Sequence, residues 1–469
     1  MKTHIISLLS LLTISLLSAC GVSKDLKTPA PELAATFRNA EASDSSAGRL
    51  PWREFFTDPA LRNLIDSALV RNYDMQVAEK NIEQSRLIFR QTKWGYTPNV
   101  NLQVAANSSN PSDNSLNGIS LNQFLGTTHI EDFTAGANLS WEADIWGKVR
   151  NQKRSAFAAY EQTAEARNAL QTRLVAAVAQ GYYNLLMLDA QLDVAEKNLA
   201  LNDSTLQIIR LQYDAGQVTV LAVQQTEAQR LTAAQLVPQF TQEVLIQENA
   251  LSVLTGRLPQ RAERNGSLAT TTLPAMLPSG VPADLLSQRP DVRSSELALT
   301  IANAQTGITK ANLYPSLVIT ASGGVNAFKL SNWFNIPASL FGTVAGGIVQ
   351  PLLAQRRLRT QYKLSLVERE KTVLRFRQTV LTAVGEVSDA LARAGQTAEQ
   401  YTLVAKQVET LQSAIGNANL LFQNGMATYL EVITAQSNLL QRELALSQIR
   451  RGQLSASVEL YRALGGGWQ

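Results

Sequence analysis

The chain has 469 residues, 45% of them hydrophobic and 17% charged, so it is long enough to bury a sizeable core. Its formal net charge is +4 at pH 7, with acids and bases mixed and no concentrated basic stripe, which excludes nucleic acid as the main partner. Cys20 is the only cysteine, so no disulfide framework exists.

Lys2 and the apolar stretch Ile5–Leu17 predict a signal peptide over residues 1–19. Leu17-Ser18-Ala19-Cys20 then matches a bacterial lipobox; the alternative is a plain signal with a chance cysteine. Cleavage before Cys20 leaves an acylated N-terminus, the one covalent group expected and otherwise no cofactor. Buried acyl methylenes contribute about 0.8 kcal/mol each, and several chains anchor stably. Residues 20–57 form the lipid-anchored arm, and Gly21, in place of an inner-membrane retention aspartate, favours the outer membrane. No apolar run of ~18 residues follows, so only a β-barrel could cross a bilayer.

The rest is written twice. At a shift of 217, Asp74, Glu79, Thr92, Lys93 and Pro98 fall on Asp291, Glu296, Thr309, Lys310 and Pro315. At a shift of 209, Arg150, Gln152, Val175, Val178, Gly216, Thr219, Leu221 and Val223 fall on Arg359, Gln361, Val384, Val387, Gly425, Thr428, Leu430 and Val432. The change of shift places extra residues of repeat one in a surface loop between Pro98 and Arg150. The boundaries are repeat one at 58–265, a Pro/Ser/Thr-rich linker at 266–282, repeat two at 283–464 and a tail at 465–469.

Each repeat reads helix, strand, strand, long helix, turn, helix. The first helix ends near Trp94, and again near Asn312, ahead of Pro98 and Pro315. In repeat one, Val100, Leu102, Val104 and Ala106 alternate with Asn99, Asn101, Gln103 and Ala105. Phe133, Ala135, Ala137, Leu139 and Trp141 alternate with Thr134, Gly136, Asn138 and Ser140. In repeat two, Leu317, Ile319 and Ala321 alternate with Ser316, Val318 and Ser322, and the Gly-rich segment Thr343–Pro351 is the fourth strand. Strands of about ten residues with small apolar residues on one face and Asn, Gln, Ser and Thr on the other suit a barrel with a wet lumen. A small soluble sheet is the alternative. Trp141, Trp146, Trp333 and Phe334 stand where an aromatic girdle would lie. Four strands cannot close a barrel, and an open edge is not tolerated in lipid. Several copies must therefore pool their strands: eight from two, twelve from three.

The helices that follow are long. Leu185, Leu188, Leu192, Ala195 and Leu199 form a coiled-coil seam in repeat one, and Tyr401, Val404, Val408, Leu411, Ile415, Ala418 and Phe422 form one in repeat two. About 60 residues from Lys148 at ~1.5 Å each give a rod on the order of 90 Å. Gly216 and Gly425 end these rods in the left-handed conformation, and Thr219 and Thr428 can cap the returning helices. Each stretch is thus the tip of a helical hairpin, either a routine corner or a docking tip.

With these motifs the chain resembles the TolC-like outer membrane factors of tripartite efflux systems, in their lipoprotein branch. The match rests on the lipobox, LSWEADIWGKVR (Leu139–Arg150), LLSQRPDVRSSE (Leu285–Glu296), ANLYPSLVITASGG (Ala311–Gly324), the two tips and YRALGGGW (Tyr461–Trp468). The resemblance implies a mainly α homotrimer with a twelve-stranded membrane β-barrel, four strands from each protomer, and a long periplasmic α-helical coiled-coil barrel. It implies a periplasmic adaptor protein meeting Gly216, Gln217, Val218 and Thr219, and Gly425, Met426, Ala427 and Thr428, with an RND-type inner-membrane transporter behind it. It also places the pore-closing carboxylate at Glu431, which otherwise reads as a solvated residue in a helix's first turn. A second aspartate three residues later, found in some relatives, is Thr434 here, and Ala222 is the repeat-one counterpart of Glu431.

No enzyme is expected. Past Cys20 the one histidine is His129, in a hairpin loop, so a Cys/His nucleophile pair or His/Cys zinc site is unavailable. The final GGGW reads as a flexible tail rather than a phosphate cradle. Few methionines and histidines speak against soft-metal handling. The expected function is the outer membrane exit duct of a tripartite efflux pump, passing drugs or other small toxic compounds. The alternatives are the duct of a one-step (type I) protein secretion system and a pore-less structural coiled-coil lipoprotein.

Overall fold

The structure is a computed structural model that describes residues 34–38, 46–264, 266–272, 279–352 and 356–469. The signal, the lipobox and Cys20 lie outside the described residues. In chain order the main elements are α1 (Pro59–Arg71), α2 (Tyr73–Thr92), β1 (Asn99–Ser109), α3 (Leu116–Leu125), β2 (Ile130–Glu142), α4 (Lys148–Asp214) and α5 (Val220–Leu254). Then come α6 (Pro290–Ala311), β3 (Ser316–Ala327), β4 (Leu340–Val349), α7 (Arg357–Gln423) and α8 (Tyr429–Ala463). Among the described residues no helix is long and apolar enough to cross a membrane.

The duplication is visible in the element bounds. α4 and α7 are each 67 residues and α5 and α8 each 35, starting and stopping 209 positions apart. The shift changes inside the strand hairpins: residues 110–129 join β1 to β2, whereas only 328–339 join β3 to β4. The longer connection carries α3, a helix where the sequence predicts only a surface loop. Ser115 caps it through the Gly118 amide, and Gly126 ends it at φ 63°.

Two compact units are present, one built from residues 84–160 and 297–374, the other from the described residues up to 83, 161–296 and 375–469. The first holds a four-stranded antiparallel sheet in the order β1-β2-β3-β4. Its ladder begins β4 at Leu340, opposite Val325, three residues before the expected start, and ends it at Val349. Pro351 lacks the N–H that a further rung would need. Asp144 makes the elbow into α4, its two carboxylate oxygens accepting from the Val149 and Arg150 amides at 2.9 Å each.

The second unit is a helical bundle. Asp58 caps α1 through the Ala60 and Leu61 amides, with Pro59 in the first turn, and accepts from the Tyr182 hydroxyl at 2.7 Å. Phe55 stacks on Tyr461 at 4.0 Å, and Leu61, Ile65, Val178, Leu186 and Leu454 complete the buried cluster. The expected seams are the buried faces: Leu185, Leu188 and Ala195 in α4, and Val408 and Ile415 in α7.

The terminal glycines correct the reading of a flexible tail. Gly465 to Gly467 are buried, and a Cβ on Gly466 would lie 2.3 Å from the Tyr461 ring. Gln171 donates to the Gly467 carbonyl at 3.2 Å, and the Trp468 indole N–H donates to the Gln288 carbonyl at 3.1 Å. Three glycines read as slack in a sequence, but here the missing side chains let the backbone pass against an aromatic ring.

Candidate functional site

Register sorts the sheet's residues into two faces. Val100, Leu139, Ala321 and Val344 lie side by side across the four strands, and so do Val104, Ala135, Val325 and Leu340. On this apolar face Leu102 is 85% exposed, Val344 82% and Ile348 75%. A water-soluble sheet covers such a face. The opposite face aligns Asn101, Asn138, Ser322 and Thr343. Its side chains bond across the strands: Asn138 Nδ2 donates to Gln103 Oε1 at 3.1 Å, and the Ser322 and Thr343 hydroxyls meet at 2.6 Å. Asn326 Nδ2 donates to Asp132 Oδ1 at 2.6 Å and to Thr134 Oγ1 at 2.9 Å.

Aromatic residues mark both ends of the sheet. Phe133 meets Trp333 at 5.6 Å, and Trp333 meets Phe334 at 5.0 Å, at the loop end. At the helix end the Trp141 indole N–H donates to the Tyr96 carbonyl at 3.0 Å, and that of Trp146 to the Pro315 carbonyl at 2.6 Å. Phe133 and Trp141 are eight residues apart on one strand, about 26 Å of extended chain, which at a barrel strand's tilt of about 40° rises about 20 Å, most of the ~25 Å apolar band of an outer-membrane wall. β1 and β4 are the sheet's edges, and the three antiparallel pairings make them antiparallel to each other.

Both hairpin tips fold as Schellman turns. Gly216 and Gly425 sit at φ 71° and 69° with open space around them. The Gly216 and Gln217 amides donate to the Tyr213 and Gln212 carbonyls, and the Gly425 and Met426 amides to Phe422 and Leu421. Val218 and Ala427 are half-buried, and Gln217, Thr219, Met426 and Thr428 are exposed. The tips part at the next helix. Thr428 caps α8 through the Leu430 amide, and Glu431 reaches back to the Thr428 amide at 2.9 Å and to its hydroxyl. Thr219 makes no side-chain cap bond, contrary to expectation. Ala222, at the position of Glu431, cannot close a capping box. The Thr428 hydroxyl and nearby amides hold the exposed Glu431 carboxyl below its ordinary pKa of 4.5. The tips also touch each other, since the Tyr429 hydroxyl donates to Gln225 Oε1 at 2.5 Å.

The family model described as outer membrane efflux protein matches residues 64–257 and 281–466. The chain belongs to the outer membrane efflux protein family. It is 30% identical to the solvent efflux pump outer membrane protein SrpC of Pseudomonas putida, with 98% of each chain covered. It is also 30% identical to the cation efflux system protein CusC of Escherichia coli O6:H1, with 97% of each chain covered. Its fold superposes on the open-state MtrE outer membrane channel of Neisseria gonorrhoeae with a TM-score of 0.84 and 25% identity, over 95% of this chain and 98% of that one. Efflux and the outer membrane are therefore properties of this chain's family.

Family motifs acquire physical roles in this structure. The arginine of RPDV, Arg289, has a side chain 6% exposed and binds Asp291 at 2.6 Å, Glu386 at 2.9 Å and the Ala463 carbonyl at 3.0 Å. Asn72, its repeat-one counterpart, donates to the Leu254 carbonyl at 3.1 Å. Each ties down the end of its repeat's last helix. The signal was present in the repeat itself: Asn72 and Arg289 fall together at the shift of 217, immediately before α2 and α6. A second group missed from sequence is a polar layer below the tips, where Gln436, fully buried, donates to Thr205 at 2.9 Å and Asn202 bonds to Asn198.

Proposed function

We propose that the chain is the outer membrane exit channel of a tripartite efflux system. The observation that carries the reading is the sheet. It presents one face that is apolar except for Ser108 and Glu131 at its loop end, one hydrogen-bonded polar face and, among the described residues, two unpaired antiparallel edges. Joining β4 of one copy to β1 of the next satisfies both edges and keeps every pair antiparallel. Three copies give a twelve-stranded barrel whose polar face lines water. Exposed apolar residues on α7, among them Leu364, Val367, Leu374 and Leu381, are then covered by neighbouring copies.

On this reading Cys20 carries the lipid that anchors the arm in the outer membrane. Gly216–Thr219 and Gly425–Thr428 meet a periplasmic adaptor, which connects to an RND-type inner-membrane transporter. Three copies of Glu431 narrow the axis, where like charge favours cations and resists leakage. The chain performs no catalysis, and the transporter supplies the energy. Cargo is small and toxic, of the solvent class named for the Pseudomonas relative or of the drug class, because two histidines and five methionines in the whole sequence give little for soft metals.

The test is reconstitution. Purified protein runs as an SDS-resistant, heat-modifiable trimer and forms ion-conducting channels in planar bilayers. A monomer that conducts nothing overturns the proposal. Deletion in the native host sensitises cells to several drugs or detergents; loss of one secreted protein with no drug phenotype would instead assign the chain to type I secretion.

A further inference from the structure

A groove of about 690 Å³ opens between α1 and the end of α5, within the helical unit and apart from the tips. Ser67, Arg71, Ser252, Thr255, Arg257 and Arg261 line it. The three arginines are exposed, and among the described residues none of them has an ion pair. Two acids also line the groove. Asp66 is already engaged by Arg53, which leaves Glu263 as the one unpaired carboxylate against three guanidiniums. Three like charges gathered around one groove repel one another unless an anion sits among them.

The walls are fixed in advance. Gly256 turns at φ 64° so close to α1 that a Cβ would lie 2.4 Å from the Arg71 carbonyl. The Ser252 hydroxyl accepts from the Gln260 amide at 3.2 Å and donates to the Glu248 carbonyl at 2.9 Å. Arg264 is clamped to Asp189 and Glu248. The guanidiniums therefore stand on a rigid frame, which lowers the ordering cost of binding. The volume matches a small-molecule site rather than a single ion.

We infer that this groove binds a small molecule carrying two or more oxyanion groups, phosphate or carboxylate, held by Arg71, Arg257 and Arg261. Guanidiniums recognise both groups through paired N–H donors. Such a ligand would tie α1 to the root of the first hairpin.

The experiment measures thermal unfolding and calorimetric binding of the full-length, detergent-solubilised protein with pyrophosphate, with citrate, and with sodium chloride at matched ionic strength. Pyrophosphate, citrate or both raise the midpoint by several degrees beyond chloride; response to one alone assigns phosphate or carboxylate. The double variant Arg257→Gln/Arg261→Gln weakens binding by about tenfold or more. The exposed Arg173→Gln, outside the groove, keeps the full response. If the double variant fails to fold, Arg71→Gln alone must weaken binding measured by calorimetry. The inference is overturned if neither anion exceeds chloride, as when a neighbouring copy already fills the groove, or if the groove variants respond like the parent.

Discussion

The two repeats share backbone bounds to the residue across α4/α7 and α5/α8 but use different chemistry at both ends of their hairpins. At the root, neutral Asn72 holds the last carbonyl of α5, whereas charged Arg289 holds that of α8 and adds Asp291 and Glu386. At the tip, Ala222 is buried while Glu431 is exposed. The tip difference has a geometric cause. The first two buried positions of α5 are Ala222 and Thr226, but those of α8 are Val432 and Gln436, one residue further along in repeat terms. One residue is about 100° of helix rotation. The second returning helix is therefore turned at its tip end, while at the root Leu251 and Leu460 are buried in register, and its first-turn carboxylate swings out of the bundle. Duplication preserved where the backbone needs help and left free which side chain supplies it.

The largest expected effect breaks the root comparison. Arg289→Ala leaves Asp291 without its cation and Glu386 with Arg462 alone; because both carboxylates are partly exposed the cost is about 2–3 kcal/mol, read by denaturant unfolding of the solubilised protein. Asn72→Ala removes neutral bonds and costs about 1–2 kcal/mol. Equal losses would mean that the charge adds nothing at the second root. Acid sharpens the contrast. Burial raises the pKa of Asp291, but Arg289 outweighs it, so the carboxyl sits below its ordinary 3.8. Its contribution is full above that value and fades as pH falls through the depressed one. The penalty of Arg289→Ala therefore shrinks in strong acid, while that of Asn72→Ala does not.

The next effect tests the rotated stripe. Ala222→Glu places a charge in a position 1% exposed and destabilises by about 2–3 kcal/mol, read as a lowered thermal midpoint. A tolerated Ala222→Glu would show that the first returning helix turns as freely as the second, and the one-residue offset would lose its meaning.

Much of this contrast was legible in the sequence. The duplication, the four strands, the hydrophobic seams and the glycine tips all follow from periodicity and turn chemistry, which are local. Three features were not. Gly466 could be placed only once Tyr461 was known to lie against it, because a packing constraint on glycine leaves no side chain to read. Helix α3 lies in a loop whose excess length was visible, but its sequence carries no regular apolar face. The burial of Asn202 and Gln436 depends on how helices from different repeats face one another, and single-helix patterns do not encode that. Of the candidate site, sequence placed Glu431 on a first turn without showing that Thr428 would hold it.

That bond poses the smallest and most discriminating prediction, because a capping carboxylate and a gating carboxylate respond to different variants. A cap acts through hydrogen bonds to Thr428, so Thr428→Ala frays the start of α8, at a cost of about 1 kcal/mol, and leaves the charge in place. A gate acts through charge at the pore axis, so Glu431→Gln removes the field while leaving the amide able to accept from the helix terminus. Single-channel recording separates them. If Glu431 gates, Glu431→Gln lowers cation preference and Glu431→Ala raises conductance, while Thr428→Ala changes neither. If Glu431 only caps, all three leave selectivity unchanged. pH adds an independent axis. Because the folded pKa lies below 4.5, both cap and charge persist at and above that pH and are lost as pH falls through the depressed value. Cation preference in the parent channel should therefore decline only in strong acid, and in Glu431→Gln it should show no such decline.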